Sequence, residues 1–305
     1  MSMPVEITRS FEDVDLGKLE ASLRSPRTLL SAVMSGIAVT ASILACLPLF
    51  SVLSMLVYRG GKRLSWSALT TLPPSAFSSG GGFGNAIVGT LTMVGIASLL
   101  SVPVGILAAS YLALIGPSTR TAAAVRFASK VLTGLPSVLA GVFAYAVVVL
   151  TTGGFSAPAG GVALAVLMLP TVVLTAEEAI RMVPARMKEA AIGMGATDAQ
   201  VLGRVVLPTA MPGILTGVML AVARAAGETA PLIFTALFSN YWLGSHGHFD
   251  LMRPTASLAV LIYNFSAMPF ANLVELAWAA SLVLVVMVLG FNIAGQFLSR
   301  NRVRR

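Results

Sequence analysis

The chain has 305 residues, of which 56% are hydrophobic and only 10% charged, against about 25% charged in a soluble domain. Its apolar residues come in long runs, which points to an integral membrane protein and away from a soluble fold. The 20 Lys and Arg outnumber the 12 Asp and Glu, a net +8; in a membrane protein such an excess collects on the cytoplasmic side, which argues against a nucleic-acid partner.

In chain order, residues 1–28 form a polar tail of mixed charge, read as a solvated cytoplasmic segment. A tail of that kind lacks the short basic and apolar pattern of a cleavable signal. Six spans of about 20 apolar residues follow: Leu29 to Tyr58, Asn85 to Ile115, Val131 to Thr151, Gly160 to Leu174 with a further turn or two, Met211 to Leu237, and Leu276 to Leu298. The single Cys46 excludes an internal disulfide and reads as a small buried hydrophobe.

Basic residues divide unequally between the connections. Arg9, Lys18, Arg24 and Arg27 lie in the tail; Arg120, Arg126 and Lys130 at the second connection; Arg181, Arg186, Lys188 and Arg204 at the fourth; Arg300, Arg302, Arg304 and Arg305 at the end, 300–305. Only Arg59, Lys62, Arg63 and Arg253 fall on the other side. By the positive-inside rule both termini are cytoplasmic. Arg126 and Lys130 are expected to snorkel to that surface, and Glu177, Glu178 and Arg181 to form a solvated group there. On the outer side, residues 59–83 read as irregular. The apolar stretch Ala256 to Phe265 is too short to span and reads as interfacial or re-entrant. Glu275 opens span six at a helix N-terminus. His246 and His248 lack the ligand cluster a metal needs, with only Asp250 near them. The glycine run 80–84 has no Lys-Ser/Thr after it, so it is no phosphate-cradling loop; any ATP and Mg must be bound by another chain, and no cofactor is expected in this one.

The fourth connection reads as two short helices: Arg186 to Met194 stopped by Gly195, then one capped by Thr197 or Asp198 and separated from span five by Pro208. Glu189-Ala190-Ala191, then Gly195, then Val205 and Leu207-Pro208 resemble the EAA motif of ABC importer permeases. Val205 stands where that motif has Ile. The resemblance implies an all-α, type I importer permease whose loop seats in a separate ATPase subunit, with Glu189, Ala190, Ala191, Gly195, Leu207 and Pro208 in the coupling segment.

Span five carries Arg224 and Glu228, four residues apart on a stripe otherwise made of Gly213, Gly217 and Ala221. Small residues there allow close helix approach or an open passage. A charge so deep in a membrane costs on the order of 3 kcal/mol and marks a functional candidate. Three readings stand: a structural ion pair, an anion path in which the Arg224 fork meets a tetrahedral oxyanion, or a proton relay through Glu228. Pro231 leaves the Gly227 carbonyl without its donor, predicting a kink beside the pair. The run from Arg224 through Glu228, Thr229 and Pro231 to Leu232 resembles the signature of PstA-type permeases of phosphate-specific ABC importers. Gly134 to Val138 with Gly141 in span three is similar to a second stretch of the same family. Its bland alternative is a Pro-kinked helix.

The resemblance implies a translocation subunit, not an enzyme, in a bacterial plasma (inner) membrane. Its implied partners are a PstC-type permease, a PstB-type ATPase dimer and a PstS-type phosphate-binding protein, with Arg224, Glu228 and Thr229 on the substrate path. A permease for sulfate or molybdate is the alternative. A membrane enzyme would need a nucleophile or metal constellation, and a secondary carrier internal repeats; neither pattern is found.

Overall fold

The computed structural model describes residues 26–75, 77–245 and 248–303, and within them the fold is helical apart from one two-stranded hairpin. Residues 1–25, most of the predicted tail, and 304–305 lie outside the described residues, as do His246 and Gly247. The chain divides into two units, residues 1–55 and 56–305.

The first unit is helix α1, Pro26–Met55. It is apolar on every side, so no face is set aside for a core, and its side chains from Leu29 to Met55 are exposed, Cys46 among them. The expectation of a buried cysteine therefore fails.

The second unit begins with a π turn, Leu56–Gly60, and a helical turn to Arg63, followed by α2 (Trp66–Thr70). Then come α3 (Gly84–Ser110, prolonged by a π turn to Ile115), α4 (Arg120–Thr133), α5 (Ser137–Ala144, continuing to Thr152) and α6 (Ala157–Arg181). Helix α7 (Ala185–Gly193) leads to α8 (Asp198–Ala226), α9 (Ala230–Thr235), the hairpin β1 (Gly244–Ser245) with β2 (His248–Phe249), α10 (Leu258–Ser266) and α11 (Ala271–Val303). Among the described residues, five helical stretches are long and apolar enough to cross a membrane; α4 and α5, bent by 107°, make a sixth if taken together.

Spans two, four and six fall where the apolar runs place them. Span three does not run on from Val131. Pro136 bars helix at the residue before it, so α4 ends at Thr133 and α5 starts at Ser137. α4 carries Arg120, Arg126 and Lys130, of which Arg120 and Lys130 are exposed. α6 ends at Arg181, within the further turn or two expected, but carries Glu177 inside the bundle, not in a solvated cluster. Glu275 does not open span six either, because α11 starts one turn earlier, at Ala271.

The core is built from α3, α6 and α8, with Met93, Leu164, Met168, Val172, Ile180 and Ile214 fully buried. The apolar stretch at residues 256–265 is as short as expected. α10 is a short helix, but it is buried, packing Leu258, Leu261 and Phe265 into a second core with α11. Ser257 caps it, and the Leu258 N–H donates to Thr90 Oγ1 on α3 at 2.9 Å.

Candidate functional site

Helix α7 ends as the glycine stop predicts. Gly195 adopts φ +86, the Gly195 N–H donates to the Ile192 carbonyl at 2.8 Å and the Ala196 N–H to the Ala191 carbonyl at 3.1 Å. Those two bonds satisfy the last carbonyls of the helix. Thr197, not Asp198, caps the next helix: the Gln200 N–H donates to its Oγ1, and Gln200 Oε1 accepts from the Thr197 N–H at 3.0 Å. Glu189, Ala190, Gly195 and Pro208 are exposed, Leu207 is half-buried, and Ala191 is packed into the core. The loop is thus pinned by Ala191, Val201 and Val206, all packed into the core, while its acid and its turn face outward.

Pro208 does not separate this loop from span five. A π turn, Val201–Val206, carries the helix through it, and the Leu207 N–H reaches back five residues to the Leu202 carbonyl. The wider turn shifts the hydrogen-bond register just before Pro208, whose missing N–H then sits in the first turn of the α segment Leu207–Ala226. The second short helix of the connection and span five are one rod, Asp198–Ala226.

That rod lies against α6. A Cβ on Gly213 would stand 2.8 Å from the Ala179 Cβ, and Gly217 faces Thr175. The small-residue stripe therefore serves close helix approach, not an open passage. The same antiparallel register sets Arg224 level with Met168, near the middle of α6. At about 1.5 Å per residue, this is about 17 Å from one end of α6 and about 20 Å from the other.

Just beyond Arg224 the helix stops. The Gly227 N–H bonds the Arg224 carbonyl at 3.1 Å and the Glu228 N–H the Ala225 carbonyl at 3.2 Å, a tightened last turn. α9 then restarts at Ala230, with Pro231 in its first turn. The break at Gly227 to Thr229 falls beside the charge pair, where the Gly227 carbonyl left without its donor by Pro231 placed a kink. Arg224 thus occupies the last turn of a helix, where the partial negative charge of unpaired carbonyls favours a cation. Its Nε lies 3.5 Å from Glu228 Oε1, with the Arg224 side chain 46% exposed and that of Glu228 16%. Thr229 is half-buried and leads into α9 without a side-chain cap. Gly141 of α5 meets α9 closely: a Cβ there would be 2.7 Å from the Pro231 Cα. The two stretches of sequence singled out in spans three and five touch at this point.

Residues 101–305 match the family described as the binding-protein-dependent transport system inner membrane component. The phosphate transport system permease protein PstA of Yersinia pestis is 39% identical over 237 residues, covering 78% of this chain and 79% of that one. PstA of Haemophilus influenzae is 38% identical over 261 residues, covering 86% and 90%. The chain belongs to the PstA family of permeases. As in its relatives, it is a translocation subunit and not an enzyme. The fold is shared with a chain of the methionine ABC transporter MetNI in an inward-facing conformation, at TM-score 0.56 and 20% identity over 72% of the permease and 94% of that chain.

A second charged cluster in the permease escaped the sequence reading. Glu177 Oε1 accepts from Arg126 Nε and from Arg181 Nη2, both at 2.7 Å. Arg126 does not snorkel; it also donates to the Leu112 carbonyl at 2.7 Å and the Pro117 carbonyl at 2.9 Å. One guanidinium so ties α4 to α6 and to the end of α3. The i, i+4 spacing of Glu177 and Arg181 was visible in sequence, but nothing local linked Arg126, 51 residues away.

Proposed function

We propose that this permease forms half of the translocation path of an ATP-driven importer of inorganic phosphate in the bacterial inner membrane, with both termini cytoplasmic. The observation that carries the reading is the exposed guanidinium of Arg224, mid-depth in the bundle, at the end of a helix that breaks beside it. Facing lipid, such a charge would cost several kcal/mol, so it faces water or another chain. A fork of N–H donors at that depth suits a tetrahedral oxyanion, and the relatives named for phosphate transport supply the substrate. Glu228, 3.5 Å away, competes for Arg224 and keeps binding weak enough for release; Thr229 lines the same break.

The partners in this reading are a PstC-type permease completing the path and a PstB-type ATPase dimer that binds ATP with Mg. The ATPase seats the segment containing Glu189, Ala190, Ala191, Gly195, Leu207 and Pro208. A PstS-type protein delivers phosphate from outside. Uptake of labelled phosphate into vesicles holding the whole transporter, with sulfate as competitor, tests it. We expect ATP-dependent uptake that ignores sulfate and falls at least about tenfold in Arg224→Gln, the loss of one charged hydrogen-bond donor. Full uptake by that variant would remove Arg224 from the path, and inhibition by sulfate would change the substrate.

A further inference from the structure

At the far end of the bundle from the coupling loop, a second cationic site lies apart from Arg224. A cavity of about 670 Å³ opens between the helical turn at residues 58–63 and the first turns of α11. Arg59, Lys62 and Arg63 all line it, and among the described residues Glu275 is the one carboxylate in its wall, 4.0 Å from Arg63 Nε. Arg63 Nη2 also reaches Asn272 Oδ1 at 3.3 Å. The other two cations meet aromatic groups: the Arg59 guanidinium sits 5.4 Å from the Trp278 ring centre, and Lys62 Nζ lies 4.0 Å from that of Tyr58 while donating to its hydroxyl at 2.8 Å. The backbone holds this arrangement tightly, since a Cβ on Gly60 would stand 2.7 Å from the Trp278 carbonyl oxygen.

Three cations within five residues repel one another, and a single carboxylate at the limit of pairing distance does not balance them. Two guanidiniums and an ammonium around one opening are the donor set of a phosphate group. The remaining wall, with Phe270 and Val274, is apolar. We propose that this cavity binds a phosphate group, carried either by the headgroup of an anionic phospholipid or by orthophosphate. The inference is independent of the substrate assigned to Arg224 and of which end faces the cytoplasm, because it concerns binding and not transport.

The test compares the wild-type transporter with Arg59→Gln/Lys62→Gln, both reconstituted in nanodiscs open on both faces. One arm counts phosphatidylglycerol retained on the complex by native mass spectrometry, from phosphatidylcholine discs doped with that lipid. The other titrates inorganic phosphate calorimetrically in pure phosphatidylcholine discs. We expect a loss of about tenfold or more in one arm, the scale of lost charged hydrogen bonds: the first arm identifies the lipid headgroup, the second orthophosphate. Unchanged binding in both arms overturns the proposal. So does an equal loss in Arg59→Lys/Lys62→Arg, which keeps both charges. Should the double variant fail to assemble, Lys62→Gln alone is read by the same two outcomes.

Discussion

Replacing Glu177 by Gln keeps the shape of the side chain and deletes one buried charge. The carboxylate is only 7% exposed and holds Arg126, 22% exposed, at 2.7 Å. Its bond to Arg181 is as short, but that side chain is 50% exposed, and solvent screening leaves such a pair worth less than about 1 kcal/mol. The loss therefore falls on Arg126. At an effective dielectric of about 20, an ion pair near 4 Å is worth about 4 kcal/mol, and breaking a buried pair by removing one partner costs about 3 to 5 kcal/mol. Arg126 keeps its two carbonyl acceptors, so we expect about 3 kcal/mol. Equilibrium unfolding of the permease in detergent measures it, with Arg126→Gln and the double variant closing a thermodynamic cycle. A coupling of about 2 kcal/mol or more is expected between the two residues. If Glu177→Gln unfolds with the wild type and the coupling is below about 0.5 kcal/mol, the three-way tie between α3, α4 and α6 contributes nothing and the reasoning fails.

Gly141→Ala drives a methyl group into the backbone of Pro231; overpacking of this kind costs about 1 to 3 kcal/mol, read as a lower unfolding temperature together with lost uptake, whereas the neighbouring Ala140→Gly should leave uptake near normal. Thr197→Ala removes the capping box before α8 and should cost about 1 kcal/mol, seen as faster hydrogen exchange confined to residues near 198–201.

Much of this architecture is written locally. The spans at α3, α6 and α11 follow from apolar runs, and the stop at Gly195 and the cap at Thr197 from residues that act on their own backbone. What was misread depends on distant contacts or on register. The apolar run through Pro136 hides a bend of 107°, which places α5 so that Gly141 reaches Pro231. Pro208 reads as a break because a preceding π turn, invisible to a period of about 3.6 residues, absorbs its missing donor. Glu177 reads as solvated because its main partner arrives from a helix two elements earlier. At Arg224 the wheel gave the right neighbours, Gly213 and Gly217, but only the packing of α6 shows that the stripe is a contact and not a passage.

The break at Gly227 to Thr229 separates two bodies held in different ways. α8 is a continuous rod; from Asp198 to Arg224 it spans about 39 Å at about 1.5 Å per residue, so displacement of its Asp198 end arrives at Arg224. α9 shares α6 with the rod through Leu232 and Gly160, but has further ties that the rod lacks: Pro231 to Gly141 of α5, the Thr235 carbonyl to the Ser156 N–H and the Ala236 carbonyl to the Thr255 N–H. Arg224 rides on the rod and Glu228 sits in the joint, so our hypothesis is that motion of the coupling loop changes their separation. Gly227→Ala tests the joint. Gly227 has φ −93, which any residue adopts, and a Cβ there meets only the Arg224 carbonyl at 3.7 Å, so the fold tolerates it. Alanine favours helix by about 1 kcal/mol over glycine, stiffening the joint. Expected is a transporter that assembles and hydrolyses ATP as before but takes up phosphate several-fold more slowly. Wild-type uptake in Gly227→Ala would mean that the joint does not move, and that Arg224 and Glu228 remain a fixed pair throughout the cycle.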